Sequence, residues 1–283
     1  MLKLLPSKKK YCVFDIGTEK LVCLFFRIQD GKPFILGMDH QKSIGFLNGD
    51  KIDKEKLSTT IAQTLKKGLP KNTKIFDYEY FSNITDINSV TRKNFTEIDT
   101  GKFGITKKDV RRIFKKSIIE SRVKAKHLIH SYPINFRIDN KKVVNDPIDQ
   151  KCEKMGISSF NIYIGSKLFQ SVSECFKNEK INIKNFFDSG VASAVANLNY
   201  KEKKEGVACI DLGSKTSKVV VFINDKIVYT KVIPVGGEHV TADISKGLDI
   251  SRESSEHTKI LYGTLSAQFN EKITVNSKYF KNK

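Results

Sequence analysis

The strongest constraint on this chain is a pattern that it carries twice. An apolar, β-rich run from Tyr11 to Ile16 leads through Asp15-Ile16-Gly17-Thr18 to a second run, Lys20 to Arg27, then to an Asp30-Gly31 turn and a third run, Phe34 to Met38. Far downstream, Gly206 to Leu212 leads into Asp211-Leu212-Gly213-Ser214-Lys215-Thr216. Ser217 to Ile223 is then the second run, Asn224-Asp225 the turn, and Lys226 to Pro234 the third. The Asp-apolar-Gly units start 196 residues apart and the turns at Asp30 and Asp225 lie 195 apart, so each spacing supports the other. Short β-rich runs joined by Asp-Gly and Asn-Asp dipeptides are strand meanders. Recurrence at a fixed separation marks an internal duplication of a three-stranded unit. A helical pattern follows each copy. In the first, Asp53 is placed to cap a helix with Leu57, Ile61 and Leu65 spaced by four and Gly68 at its end. In the second, Gly237 to Gly247 puts Val240, Ile244 and Leu248 on one side.

Between the copies the pattern changes. A polar, turn-rich stretch from Ser82 to Thr100 precedes a helix with Thr106 and Asp109 in a capping arrangement. Short strands are expected around His127 to Ser131, Asn135 to Asp139 and Ser159 to Ile164. This differs from both flanks and reads as an inserted subdomain over residues 81–164. An amphipathic helix near Lys167 to Lys177, a strand near Ile181 to Phe187 and a small-residue helix from Ser189 to Leu198 follow. The division expected is one lobe from residues 1–80 and 165–200, the insert, and a second lobe from 201–283. A last helix runs from Ser251 to Tyr262 and is closed by Gly263.

Composition narrows the class. At 283 residues with 39% hydrophobic content, the chain is long enough for two domains, and general disorder is excluded. No run of 18 uncharged apolar residues occurs, and Met1 to Lys10 lacks the apolar core of a signal peptide, so a cytosolic protein is expected. Five cysteines without a C-x-x-C pair read as core thiols rather than a disulfide framework or zinc site. Asn83-Ile84-Thr85 and Asn94-Phe95-Thr96 match the glycosylation pattern without a secretory context. The net charge of +19 comes mostly from lysines scattered through every segment. Neither arginine forks for base readout nor interleaved aromatics appear, so no specific nucleic-acid role is read from it. The densest cluster, Lys107 to Lys126, is the solvated face of a helix whose other face carries Val110, Ile113, Phe114 and Ile118.

The chemistry points to the two loops. A carboxylate at a strand end, followed by Gly and a hydroxyl residue in a tight turn, sets several backbone N–H groups beside an acid. Such groups bind phosphate oxygens, and the acid would hold Mg²⁺ through its water shell. Two loops of this kind facing each other would grip a triphosphate from both sides. Gly236-Gly237, opening a helix after the second meander, is a third place where backbone donors would meet an anion. There is no Walker motif, G-x-G-x-x-G, H-E-x-x-H or G-x-S-x-G.

These residues carry a resemblance. The two Asp-x-Gly loops, the small-residue segment Ser189-Gly190-Val191-Ala192-Ser193 and the helix-opening Gly-Gly together resemble the actin-like ATPase superfamily. Leu128-Ile129-His130-Ser131-Tyr132-Pro133 with Asp139 and Asn145-Asp146-Pro147, the run from Val235 to Ile244, and Lys259-Ile260-Leu261-Tyr262-Gly263 resemble, within it, the bacterial cell-division FtsA family. The likeness covers about residues 10 to 265 and is strongest from Phe187 onward. It implies an α/β, two-lobed, ribonuclease-H-like duplicated fold with a small α+β subdomain inserted and the second lobe incomplete. It also implies a filament-forming assembly protein, not an enzyme, with ATP hydrolysis at most slow. Such a protein binds ATP and magnesium and links the tubulin-like FtsZ to the cytoplasmic face of the inner membrane at the division site. Residues 81–164 would meet other division proteins. By the same resemblance, Asp15, Gly17, Thr18, Asp211, Gly213 and Thr216 would supply the phosphate and magnesium contacts, and Ser214 and Lys215 in the same loop are counted with them as nucleotide-binding. Asp15 and Asp211 would hold hydrated magnesium, and Gly236, Gly237 and Lys259 would lie near the nucleoside.

Two departures stand out. The family usually carries a Gly run where this chain has Ser214 and Lys215. Left-handed backbone there would cost about 1–2 kcal/mol per side chain, whereas Lys215 would alternatively pair with a phosphate. Thr264 to Lys283 is also too short to supply the rest of a second lobe and a membrane helix. The alternatives are the pilus-assembly actin-like protein and a sugar kinase of the same superfamily, for which Asp188 would be the candidate base.

Overall fold

The structure, a computed structural model, describes residues 9–47, 50–101 and 104–264. The expectations for the chain before Lys9 and beyond Thr264 lie outside them. β1 (Lys10–Ile16), β2 (Lys20–Gln29) and β3 (Lys32–Lys42) form the first meander, and α1 (Lys54–Gly68) starts at Asp53, whose carboxylate accepts the Lys56 N–H. β4 (Tyr78–Ile84) returns parallel to β1. After it come β5 (Val90–Asp99), α2 (Lys107–Glu120), β6 (Lys126–Ile138), β7 (Lys142–Val144) and β8 (Lys154–Gly165). The chain then runs through α3 (Ser166–Asn178), β9 (Ile183–Asp188), α4 (Ser189–Asn197) and α5 (Tyr200–Glu205). The second meander is β10 (Val207–Leu212), β11 (Ser217–Ile223) and β12 (Lys226–Ile233), and α6 (Gly237–Leu248) and α7 (Arg252–Tyr262) follow it. Three sheets result, with strand orders β3-β2-β1-β4-β9, β10-β11-β12 and β5-β8-β6-β7.

The two meanders match residue for residue around their loops. Asp15 faces Val22 as Asp211 faces Lys218, and Ile16 faces Leu21 as Leu212 faces Ser217. Both second strands bulge at the same place, between Phe25 and Phe26 and between Val221 and Phe222. Beyond the bulge the second hairpin is shorter, so the first turn residues that correspond are Asp30 and Asn224. The difference is one full pleat, which keeps every side chain on its face.

The copies differ in what covers them. α1 and α3 lay Leu57, Ile61, Leu65, Leu168, Val172 and Phe176 on Cys12, Phe14 and Ile16, all fully or nearly fully buried. The corresponding face of β10 carries Ile210 and Leu212, which are 61% and 77% exposed among the described residues. The small helix α4 covers the other face of the second sheet, where Val191 and Ala194 pack with Val220, Phe222 and Ile227.

Several boundaries depart from the sequence pattern. Phe81 to Ile84, expected in the insert, lie in β4 and pair with β1 and β9, so the separate sheet begins after them. α4, expected with the first lobe, packs on the second sheet because its small residues admit close approach. β5 falls in the stretch read as turn-rich: as an edge strand it buries only Thr96 and Ile98, too few to show alternation. The two short strands around Pro133 are one strand, β6, with an irregularity between Pro133 and Asn135. The proline is tolerated because the outer edge of β6 pairs with β7 only at Phe136 to Ile138. On α6, Thr241 and Ser245 are buried while Val240 and Leu248, read as one apolar side, are exposed. α5 has no counterpart in the sequence reading. The cysteines are free thiols, four of them buried.

β8 joins the insert to the rest because both of its faces are buried. Met155 and Ile157 pack under α2, while Phe160 and Ile162 pack on α4 and the second sheet. At the same junction the Asp188 N–H donates to Nε2 of His130, 3.0 Å away. Burial pushes His130 down to about 4 from its ordinary 6.5, so the fold holds it neutral, as an acceptor must be. The unfolded chain binds the proton near pH 6.5 and the folded chain does not. Stability contributed here is therefore present above that pH and is lost as pH falls towards 4. Denaturation titrations from about pH 7 to about 4.5 should lose up to about 3 kcal/mol at this site. His130→Gln, which keeps an acceptor without the titration, should flatten that slope; an unchanged slope would refute the assignment.

Candidate functional site

The loops of the two meanders are built alike. The Gly17 N–H donates to the Lys20 carbonyl and the Gly213 N–H to the Thr216 carbonyl, each at 3.0 Å. Glycine is needed here for approach rather than for dihedral angle. Neither has positive φ, but a Cβ on Gly213 would stand 2.7 Å from the Thr216 oxygen. The loops face each other across a cleft of about 620 Å³, and the Lys215 N–H donates to Thr18 Oγ1 across it at 3.3 Å.

Asp15, Gly17, Thr18, Asp211, Gly213, Ser214, Thr216, Gly237 and Lys259 line this cleft. Lys215 does not: its ammonium donates to the Leu47 carbonyl at 2.9 Å, which turns it away from the space where a phosphate would lie. Ser214 and Lys215 are not among the described residues with positive φ, so their side chains carry no left-handed strain. Gly236 sits behind the loop. Its missing Cβ would meet the Gly213 and Ser214 oxygens at 2.4 and 2.5 Å. That contact corrects the expected helix-start anion site, because Gly237 and Glu238 donate their N–H groups to the Gly213 and Ser214 carbonyls at 3.0 and 2.8 Å. The start of α6 clamps the second loop and has no such donors to spare. Lys259 lies at the cleft edge, where it donates to Glu256, Thr241 and the Gly237 carbonyl. Lys259 and Thr241 together hold the Glu256 carboxyl below its usual range.

Several cleft residues had not been singled out from sequence. Asn83 accepts the Ile16 N–H at 2.7 Å and donates to Asp15, so the Asn83-Ile84-Thr85 pattern serves the first loop, and Thr85 meets Ser189 at 2.6 Å. Ser193 of α4 donates to Asp211 at 2.9 Å, and Lys218 pairs with the same oxygen at 3.2 Å. The register gives a signal for Lys218, which stands directly opposite Asp211 on the neighbouring strand. Asp188 is not at the cleft wall: its carboxylate accepts the Val191 N–H as the cap of α4, and burial raises its pKa.

No group of three or more His, Cys, Asp or Glu suited to direct metal ligation exists among the described residues. The two loop carboxylates differ as supports for a hydrated ion. Both line the cleft and each has one oxygen engaged, but that of Asp15 meets a neutral amide, whereas that of Asp211 is shared by a hydroxyl and an ammonium.

Comparison with solved structures places the fold. Over 92% of this chain and 71% of the other, the protein superposes on a chain of the PilM-PilN type IV pilus biogenesis complex with a TM-score of 0.62 at 12% identity. MreB5 of Spiroplasma citri bound to ADP gives 0.50 at 13% identity, over 94% and 66%. These likenesses are of fold alone, and the fold is that of the actin-like ATPases, with a further subdomain inserted. The insert matches the profile of the SHS2 domain inserted in FTSA over residues 85–163, and residues 208–281 match that of cell division protein FtsA. Cell division protein FtsA of Agrobacterium fabrum is 25% identical over 93% of this chain, and that of Bacillus subtilis 26% over 89%. The chain belongs to the FtsA family. It spans 62% and 58% of the length of those two relatives.

The clamp on the second loop predicts contrasting effects within one helix. Gly236→Ala should destabilise the protein by about 1–3 kcal/mol in chemical denaturation, since backbone oxygens cannot move aside. Gly247→Ala, where an added Cβ meets nothing within 4 Å, should be neutral or stabilising by up to about 1 kcal/mol. Equal effects would mean that the contact at Gly236 is not under constraint.

Proposed function

We propose that this protein is a nucleotide-binding division scaffold of the FtsA type. Its cleft takes ATP with magnesium, its assembly into filaments depends on the bound nucleotide, and it links FtsZ to the cytoplasmic face of the inner membrane at the division site. The observation that carries the reading is the pair of equivalent glycine loops joined across one cleft, in a chain that belongs to this family. Each loop sets its backbone beside a carboxylate, and Lys20 and Lys218, one from each meander, add positive charge to the cleft lining. Residues of the insert would recruit other division proteins. No helix among the described residues is long and apolar enough to cross a membrane, and the peripheral attachment proposed here rests on the likeness to FtsA.

Two observations favour this reading over the alternatives. The sugar-kinase reading required a free carboxylate at Asp188, and that group is buried as a helix cap. The pilus-assembly reading shares the fold, but the matching sequence profiles are those of FtsA and its insert.

A thermal-shift titration with ATP and magnesium tests the cleft. Saturation at about 100 times the dissociation constant should stabilise the fold by about 2.7 kcal/mol, and Lys20→Ala and Ser193→Ala should each weaken the shift. No shift at any ATP concentration would refute nucleotide binding. Failure to co-sediment with FtsZ filaments would separately refute the linkage to FtsZ.

A further inference from the structure

Asp15 and Asp211 occupy the same place in the two copies of the meander, yet their surroundings have diverged. Across the strand from Asp15 stands Val22, and its polar partner is the neutral amide of Asn83. Across from Asp211 stands Lys218, whose ammonium lies 3.2 Å from Asp211 Oδ2 with the lysine side chain only 14% exposed. Ser193 donates to that same oxygen. The surroundings accommodate the lysine. An added Cβ on Gly190 would come within 3.0 Å of Lys218 Cβ, so α4 packs this close over the stem only because residue 190 is glycine. The ammonium reaches the second loop itself, 3.9 Å from where a Cβ on Gly213 would stand. Burial raises the pKa of the Asp188 carboxyl, and the charge of Lys218 acts in the opposite direction.

We propose that Lys218 is a resident counter-ion of the cleft. It occupies on Asp211 the place that a hydrated divalent cation would need, so that Asp15 alone of the two loop carboxylates meets magnesium. The inference rests on reading the cleft as a polyphosphate site. A carboxylate already paired with a partly buried ammonium gains little from a second cation, while removing the ammonium leaves an uncompensated charge that recruits one. The second loop then supplies a fixed positive charge to the nucleotide, and the first loop supplies the metal contact. The expectation of two equivalent magnesium-bearing aspartates gives way to a division of labour between the copies.

Calorimetric titration of ATP into the full chain, with excess magnesium or with EDTA, distinguishes these arrangements. Asp15→Asn should abolish the gain in affinity that magnesium gives. Asp211→Asn, whatever it does to affinity itself, should keep that gain. Lys218→Met should lose about tenfold in affinity in EDTA and recover it with magnesium, as the freed Asp211 takes up the ion. Lys218→Gln keeps a hydrogen-bond donor to Asp211 without the charge; it should behave like Lys218→Met and guards against a merely unfolded variant. If Asp211→Asn abolishes the magnesium effect as fully as Asp15→Asn does, or if Lys218→Met matches the wild type, the proposal is overturned. If ATP binds under no condition, the nucleotide reading fails, and Mn²⁺ binding followed by EPR without nucleotide decides the counter-ion assignment. Lys218→Met should gain a Mn²⁺ site that Lys218→Met combined with Asp211→Asn lacks, and no gain would overturn it.

Discussion

The contact between the second loop and the start of α6 is the interaction on which the cleft depends. Two backbone N–H groups, those of Gly237 and Glu238, are bonded to two loop carbonyls, and the approach is possible only because Gly236 has no Cβ. This contact sets the direction of α6, which in turn places α7 and so brings Lys259 to the cleft edge. The first loop has its own external tie, the Asn83 amide reaching from β4 to the Ile16 N–H. Each loop is thus held from outside its own hairpin, and a single bond from Lys215 to Thr18 then joins them. Loops tied in this way have lost much of their freedom before any ligand arrives, which is the advantage of preorganisation.

Duplication supplied the geometry, and divergence supplied the chemistry. The copies share register, loop and bulge, so their carboxylates arrive at equivalent points. What stands opposite each carboxylate is a matter of single residues, Val22 in one copy and Lys218 in the other. Covering layers have diverged as well: the face that is sealed by α1 and α3 in the first copy is open at Ile210 and Leu212 in the second.

The insert is not loosely tethered. Its two connections to the first lobe are pinned together where Asp86, itself buried, accepts the Gly165 N–H at 2.7 Å, and Thr85 next to it meets Ser189 at the head of α4. α4 is therefore touched by the insert through Phe160 and Ile162, by the second sheet through Val220 and Phe222, and by the cleft through Ser193 and Asp211. Any displacement of the insert that moves α4 changes the polar contacts of Asp211. His130, neutral and bonded to the Asp188 backbone, sits in the same joint.

The amino-acid sequence by itself determined the repeated meander, the two glycine loops with their aspartates, the caps at Asp53 and Thr106, and membership of an actin-like family. These are legible because strand alternation, turn residues and helix caps are local, within the reach of a few neighbouring side chains. β5 was hidden because an edge strand buries too little to alternate, and the continuity of β6 through Pro133 because tolerance of a proline depends on which strand lies beside it. The direction of Lys215, the blocked donors at the start of α6, the service of Asn83 to Asp15 and the pairing of Lys218 with Asp211 and Ser193 were decided only in three dimensions. Each joins residues brought together by packing, and a side chain's charge and hydrogen-bonding groups say what it is able to bind but not which partner burial will leave within reach.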